Sequence, residues 1–232
     1  PPPPPPKHSF PTRRSSDLST TNMDAKNLDD INRVLKDEFT LKNLSKNKQI
    51  HSNIVNKIDK TNIGQIIDGD AIITNEKNVP LVILTADCVP VILVDTENKA
   101  VGLAHAGWRG TYGKICEETL KSMQENYNTN PENVIAIIGP SIGSCCYEVS
   151  YDLIDKFEKL LPNADEKIYE IRDEKYYLNL WEVNTQILKE FGVLKSNIIN
   201  MNICTSCNCD RFFSYRKHEK TPKRIGTFIE IK

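Results

Sequence analysis

Residues 81–95, LVILTADCVPVILVD, followed by 100–110, AVGLAHAGWRG, decide how this chain folds. Positions 81–84, 89–94 and 100–104 are short β-branched and aliphatic runs bounded by turn residues. Their apolar character is continuous rather than alternating, which reads as strands buried on both faces. Asp87 and two prolines interrupt the apolar stretch 79–94, so it falls short of the roughly 18 residues that cross a membrane. Working outward, Ile66 with Ile67 and 71–74 predict further strands upstream, and 134–138, 198–203, 212–215 and 224–231 predict strands downstream. Helical spacing appears at Leu28, Ile31, Leu35 and Phe39, capped by Asn22 or Asp24, and again over 111–127, 151–161 and 181–191. Strands mixed with helices and several hairpins imply one α+β domain with mixed sheets, not a doubly wound fold.

Residues 1–18, PPPPPPKHSFPTRRSSDL, share no composition or periodicity with the rest. They are expected to be a leader outside the fold, leaving 19–232 as the domain. This stretch resembles translated sequencing-adapter sequence, so the expectation is that the N-terminal strands are missing and that His8 has no functional role. The 232 residues are 39% hydrophobic and 26% charged, enough apolar surface for a core. A formal charge of -1 without a basic cluster gives no footprint for nucleic acid or an anionic membrane. Seven cysteines, an odd number, together with the lack of a segment reading as a signal peptide, point to reduced thiols. A cytoplasmic monomer is the expectation.

Imidazole and thiolate are the strongest metal ligands at neutral pH, and the chain places them sparingly. His51 opens an apolar segment, Cys88 ends LVILTADC, and His105 lies near the end of AVGLAHA. Two neighbouring strands could thus deliver a thiol and an imidazole to one sheet edge, and Gly107 and Gly110 permit close approach of the backbone. Three ligands would leave a fourth tetrahedral position open, as in a catalytic zinc site. On spacing alone, a buried core thiol and two satisfied imidazoles account for the same residues better than a metal site does.

The blocks QIHS, DGDAIIT, TADCVPV, AHAGWRGT, GPSIGSCCYEV and CTSCNCDRFFSYR occur in the order seen in the YfiH-like laccase-domain family. From residue 22 to the end, the chain resembles that family. The resemblance implies a four-layered α/β/β/α arrangement similar to cytotoxic necrotizing factor catalytic domains. It also implies one zinc ion on His51, Cys88 and His105, with copper as an alternative. The activities implied are phosphorolysis of adenosine, inosine, guanosine and methylthioadenosine, and deamination of adenosine, with purine nucleosides and phosphate as partners. For these reactions Asp87 is a candidate proton carrier or a turn carboxylate, and Arg109 and Arg216 are candidate phosphate ligands or plain surface cations. Gly139 and Ser141 are candidate backbone donors, while Tyr147 and Glu148 are candidates to line a purine pocket or to serve an ordinary cap. Relatives carry Gly-Arg after the SYR block where this chain has Gly226 and Thr227; Arg224 is out of register and receives no anion-binding role.

Cys145 and Cys146, with the CxxCxC of Cys204, Cys207 and Cys209, read as packing and site walls, with a second zinc as the lesser option. Four histidines, of which His8 and His218 lie outside the site blocks, are too few for several coppers. A cysteine hydrolase or amidase editing peptidoglycan precursors, with Cys88 as nucleophile and His105 as base, uses the same residues without metal.

Overall fold

The structure, a computed structural model, describes residues 16–21, 31, 35–164 and 166–232. Its strands are β1 (Ser16–Thr21), β2 (Ser45–Lys46), β3 (Val55–Lys57), β4 (Ala71–Thr74), β5 (Leu81–Thr85), β6 (Val89–Asp95) and β7 (Ala100–Ala106). Then come β8 (Val134–Ile138), β9 (Glu148–Val149), β10 (Tyr169–Arg172), β11 (Lys175–Leu178), β12 (Ile198–Asn200) and β13 (Ile225–Ile231). The helices are α1 (Trp108–Tyr112), α2 (Ile115–Tyr127), α3 (Tyr151–Leu160) and α4 (Leu180–Glu190).

A six-stranded sheet runs β12-β8-β6-β7-β4-β3, a four-stranded sheet β1-β13-β5-β2, and a three-stranded sheet β10-β11-β9. Both larger sheets are mixed: β6 pairs antiparallel with β7 and β8, β12 pairs parallel with β8, and β2 pairs parallel with β5.

The continuous apolar runs are explained by burial on both faces. Ile72, Ile92 and Leu103 of the large sheet pack against Leu81, Ile83 and Ile229 of the smaller one. Each such side chain contributes about 1.5–3 kcal/mol when fully buried, so this interface holds the two sheets together. The alternate residues Ile73, Val91, Leu93 and Ala104 face the helices, meeting Leu120, Met123, Val183 and Ile187. Small residues on β7 let α2 close in: a Cβ at Gly102 would lie 3.1 Å from Thr119 Cγ2 and 3.2 Å from Met123 Sδ. On the outer face of the smaller sheet, Ile31, Leu35 and Phe39 are buried with Val82 and Phe228, with Ile31 and Leu35 in helical backbone. The order is therefore helix, sheet, sheet, helix, as the expected α/β/β/α layering requires. Asn22, Asp24 and Leu28 of the expected first helix lie outside the described residues.

β1 runs across residue 18, where the leader is expected to end, and pairs with β13 from Ser16↔Ile231 to Thr21↔Gly226. Backbone pairing needs only N–H and C=O groups, so an open edge of β13 captures a segment whose composition does not announce a strand. Ile66 and Ile67 are 62% and 39% exposed and form no strand; they sit in a loop after left-handed Gly64 (φ 79°). The helix expected over 111–127 is split by Gly113 and by Lys114, whose φ is 55°. Residues 212–215 form no strand, because their amides are spent locally: Phe212 N–H donates to the Asn208 carbonyl and Ser214 N–H to His218 Nδ1.

Candidate metal centre

The antiparallel register of β6 and β7 sets Pro90 against His105 and Val89 against Ala106. Cys88 and His105 consequently emerge at one sheet edge, as the sequence led us to expect. His105 shares the strand parity of Val101 and Leu103, so it lies on the face between the two sheets, where it is 4% exposed. His51 reaches the same point from the loop before β3, and the donor atoms of His51, Cys88 and His105 all lie within 4.8 Å of one another. The imidazole rings stand edge to face, with centroids 5.0 Å apart. Gly107 is required by this convergence: a Cβ there would lie 2.9 Å from Cys88 Sγ and 3.6 Å from His51 Cδ2. Gly110 serves packing instead, since its Cβ would meet the carbonyls of His105 and Ser52.

The residue that organises the centre is Asp70, which lies in the DGDAIIT block but carries no signal of its own in the sequence. Fully buried, its Oδ2 accepts from Ile50 N–H (3.1 Å), Ser52 N–H (2.7 Å) and Ser52 Oγ (2.8 Å). Its Oδ1 accepts from His51 N–H at 3.0 Å and lies 2.8 Å from His105 Nδ1. One carboxylate thereby holds His51 in a left-handed conformation (φ 61°) and turns the far nitrogen of His105 toward Cys88. A carboxylate behind a ligating histidine fixes its tautomer and raises its basicity.

The charges are mutually supporting. Burial pushes the Cys88 thiol up, but hydrogen bonds and charge from His105 and His51 outweigh it and bring it down to about 6. Burial depresses His105, yet the Asp70 and Cys88 anions raise it to about 9. Burial also raises Asp70, but His105 and the donors on Ser52 and Ile50 hold its carboxyl well below the usual range.

The donor set fits a metal ion. Two imidazoles and a thiolate suit zinc or copper, and ligand atoms around a tetrahedral zinc stand roughly 3.3–3.8 Å apart. Small side-chain movements close the observed span onto that. His51 is exposed and His105 buried, so the set opens to solvent on one side.

A cavity of about 590 Å³ lies over the triad, lined also by Gln49, Arg109, Tyr215 and Arg224. Arg109 is thus placed at the site, its guanidinium 4.3 Å from the Trp108 ring. Arg224, to which sequence reasoning gave no role, shares the wall. Gln49 is held there by its side-chain amide, which pairs with both N–H and C=O of Leu84 like a strand.

Arg216 lines a neighbouring pocket with Tyr147 and Glu148. Its guanidinium donates to the Glu148 carbonyl and lies 5.5 Å from the Tyr147 ring. Burial first, and then the Cys88 charge, raise the Tyr147 phenol to about 12, with Arg216 and Arg109 opposing; Tyr147 lies within electrostatic reach of the triad. Asp87 is engaged on both oxygens, Oδ1 accepting from Thr205 Oγ1 and Oδ2 from Arg216 N–H, each at 2.7 Å. Both Asp87 oxygens therefore hold donors from the protein. Gly139 and Ser141 are not brought to the site as donors: both are buried, and their amides are spent on the carbonyls of Pro90 and Ile203.

The chain resembles known proteins in sequence and in fold. The sequence model of the family described as multi-copper polyphenol oxidoreductase laccase matches residues 8–232. The chain is 35% identical over 192 residues to the purine nucleoside phosphorylase YlmD of Bacillus subtilis, spanning 79% of this chain and 69% of that protein. It is 32% identical over 210 residues to a purine nucleoside phosphorylase of Clostridium acetobutylicum, spanning 90% of this chain and 85% of the relative. The fold matches the crystal structure of the Bacillus licheniformis hypothetical protein YfiH with a TM-score of 0.86 at 28% identity, covering 94% and 92% of the two chains.

Proposed function

The chain belongs to the multi-copper polyphenol oxidoreductase laccase family, the YfiH-like family, and from that premise we propose that it is a metal-dependent purine nucleoside phosphorylase. Its substrates on this reading are adenosine, inosine, guanosine and methylthioadenosine with phosphate, and it also deaminates adenosine. The observation that carries the reading is the convergence of His51, Cys88 and His105 under one cavity that also holds Arg109 and Arg224.

His51, Cys88 and His105 would hold a single zinc ion, which when bound supplies Lewis acidity to the reacting centre. Asp70 holds the proton of His105 at Nδ1 and leaves Nε2 for ligation. Phosphorolysis places a phosphate beneath the ribose while positive charge develops on the sugar, so cationic forks are needed; Arg109 meets this requirement from within the cavity. Tyr215, 45% exposed on the cavity wall, offers a ring on which a purine can stack. Asp87 acts by position: it ties Thr205 and the Arg216 backbone to the residue preceding Cys88, fixing the wall on which Tyr147 and Arg216 stand. The reading is of a cytoplasmic enzyme acting on small nucleosides; no helix among the described residues is long and apolar enough to cross a membrane.

A specific observation favours a second reading. Cys88, His105 and Asp70 line up as thiolate, imidazolium and buried carboxylate, which is also the arrangement of a cysteine hydrolase. The two readings separate on one experiment. The purified protein is given adenosine with and without phosphate, and its bound metal is measured. Adenine and ribose 1-phosphate formed only with phosphate, and lost with Cys88→Ala or chelator, support the phosphorylase. Retention of that activity in Cys88→Ala would remove the metal-site reading, and a metal-free, chelator-insensitive enzyme would favour the hydrolase.

A further inference from the structure

Away from the cavity, four cysteine sulfurs, those of Cys145, Cys146, Cys204 and Cys207, lie within 4.8 Å of one another. Cys145 Sγ and Cys146 Sγ are each 3.4 Å from Cys207 Sγ. A disulfide requires about 2.05 Å. With zinc–sulfur bonds of about 2.3 Å, the corners of a four-thiolate tetrahedron stand about 3.8 Å apart, inside the span observed. A polynuclear iron–sulfur cluster would hold its four ligating sulfurs farther apart than a single ion does.

The topology brings these residues together. The parallel strands β8 and β12 are neighbours, so the loops that follow them leave from the same end of the sheet. Ser141 in the first loop and Cys204 in the second form a bridge, with Ser141 N–H donating to Ile203 and Thr205 N–H donating to Ser141. The first loop is fixed further by Trp181, which donates to Ser141 Oγ at 2.6 Å and sits where a Cβ on Gly143 would be, 2.7 Å from Trp181 Cη2.

The environment favours thiolate at the most buried member. The Gly143 and Cys207 amides donate to Cys204 Sγ at 3.4 and 3.5 Å, so the Cys204-x-x-Cys207 turn folds its own N–H onto its first sulfur. Amides aimed at sulfur stabilise the anion that a metal needs. Cys209 is not among the converging sulfurs.

We propose that Cys145, Cys146, Cys204 and Cys207 bind one zinc ion as four thiolates, a closed structural centre separate from the His51, Cys88 and His105 site. Binding releases the thiol protons to solvent and supplies all four ligands from protein, leaving no position for a substrate. The centre staples the loop that leads to Tyr147 onto the loop that carries Thr205. Thr205, next to the ligand Cys204, donates to Asp87, next to the ligand Cys88, so one hydrogen bond links the residues flanking the two centres. Tyr147, next to the ligand Cys146, faces Arg216.

The test is a zinc count on the full chain, expressed with zinc and purified under reducing conditions. Wild type, Cys88→Ala and Cys145→Ser/Cys207→Ser are compared by mass spectrometry of the elements. The expected loading is two zinc ions for wild type and one for each variant. Cobalt reconstitution of Cys88→Ala should add the ligand-field and charge-transfer bands of four-sulfur coordination. Because that variant lacks the first site, the readout stands even if the nucleoside reading fails, and it needs no folding of the double variant. Zinc-free Cys88→Ala, iron in place of zinc, or a disulfide among these four cysteines under non-reducing mass analysis each overturns the proposal.

Discussion

Replacing Asp70 by Asn keeps the shape of the side chain and removes one acceptor oxygen and the charge. Five donors converge on this buried carboxylate, three on Oδ2 and two on Oδ1. The amide carbonyl can take the Oδ2 side, satisfying Ile50 and Ser52, but its NH₂ then opposes His51 N–H. The same NH₂ donates toward His105 Nδ1, driving the ring proton to Nε2, the nitrogen needed for ligation. One buried donor left unsatisfied costs about 1–3 kcal/mol, and a charge-assisted hydrogen bond lost costs about 1.5–3 kcal/mol. The metal-free variant should therefore lose roughly 3 kcal/mol of stability, read as a lower urea midpoint at unchanged slope. Losing the carboxylate behind a ligating histidine should weaken zinc about 10–100-fold, measured by competition with a chromophoric chelator. A variant that binds zinc within about threefold of wild type and unfolds at the wild-type midpoint would refute this account of Asp70, because the energies cited leave no room for that outcome.

Other substitutions and conditions probe the remaining parts. Gly107→Ala puts a methyl 2.9 Å from Cys88 Sγ and should cut zinc affinity about tenfold by displacing the thiolate; unchanged affinity in the chelator titration argues against that crowding. In chelator-treated protein, the Cys88 thiolate forms as pH rises through about 6, so iodoacetamide modification, followed by peptide mapping, should reach half its maximal rate near there. A midpoint near the unperturbed thiol value of about 8.5 would contradict the thiolate–imidazolium pairing, and zinc should protect. Asp87→Asn should loosen the Thr205 and Arg216 wall by about 1–3 kcal/mol and raise KM, leaving the pH profile of kcat in place; a shifted kcat profile would restore Asp87 as a proton carrier. Arg109→Ala should raise KM for phosphate about tenfold or more with little change in nucleoside binding, and equal effects on both substrates would count against its role.

The strands that matter most were legible in the sequence, because the runs VPVILV and AVGLA are apolar throughout and only burial on both faces tolerates that. The pairing of Cys88 with His105 followed, since strand ends fix which residues share an edge. The three-stranded sheet of β9, β10 and β11 was not legible: its strands are short and largely exposed, so no apolar pattern records them. Residues 212–215 were misread as a strand because their aromatic residues suit either state, and the Phe212 and Ser214 amides are claimed by Asn208 and His218.

By itself the sequence determined the central buried strands, written in local apolar patterns, and its resemblance to the YfiH-like family implied the layering and the three candidate ligands, which spacing alone left open. Tertiary structure alone decided what surrounds them. Asp70 and His105 are 35 positions apart, Asp87 and Thr205 are 118 apart, and Cys145 and Cys207 are 62 apart. A carboxylate or a thiol acquires its role from the donors and charges that meet it, and at such separations those are fixed only when the sheets register and their loops close on one another.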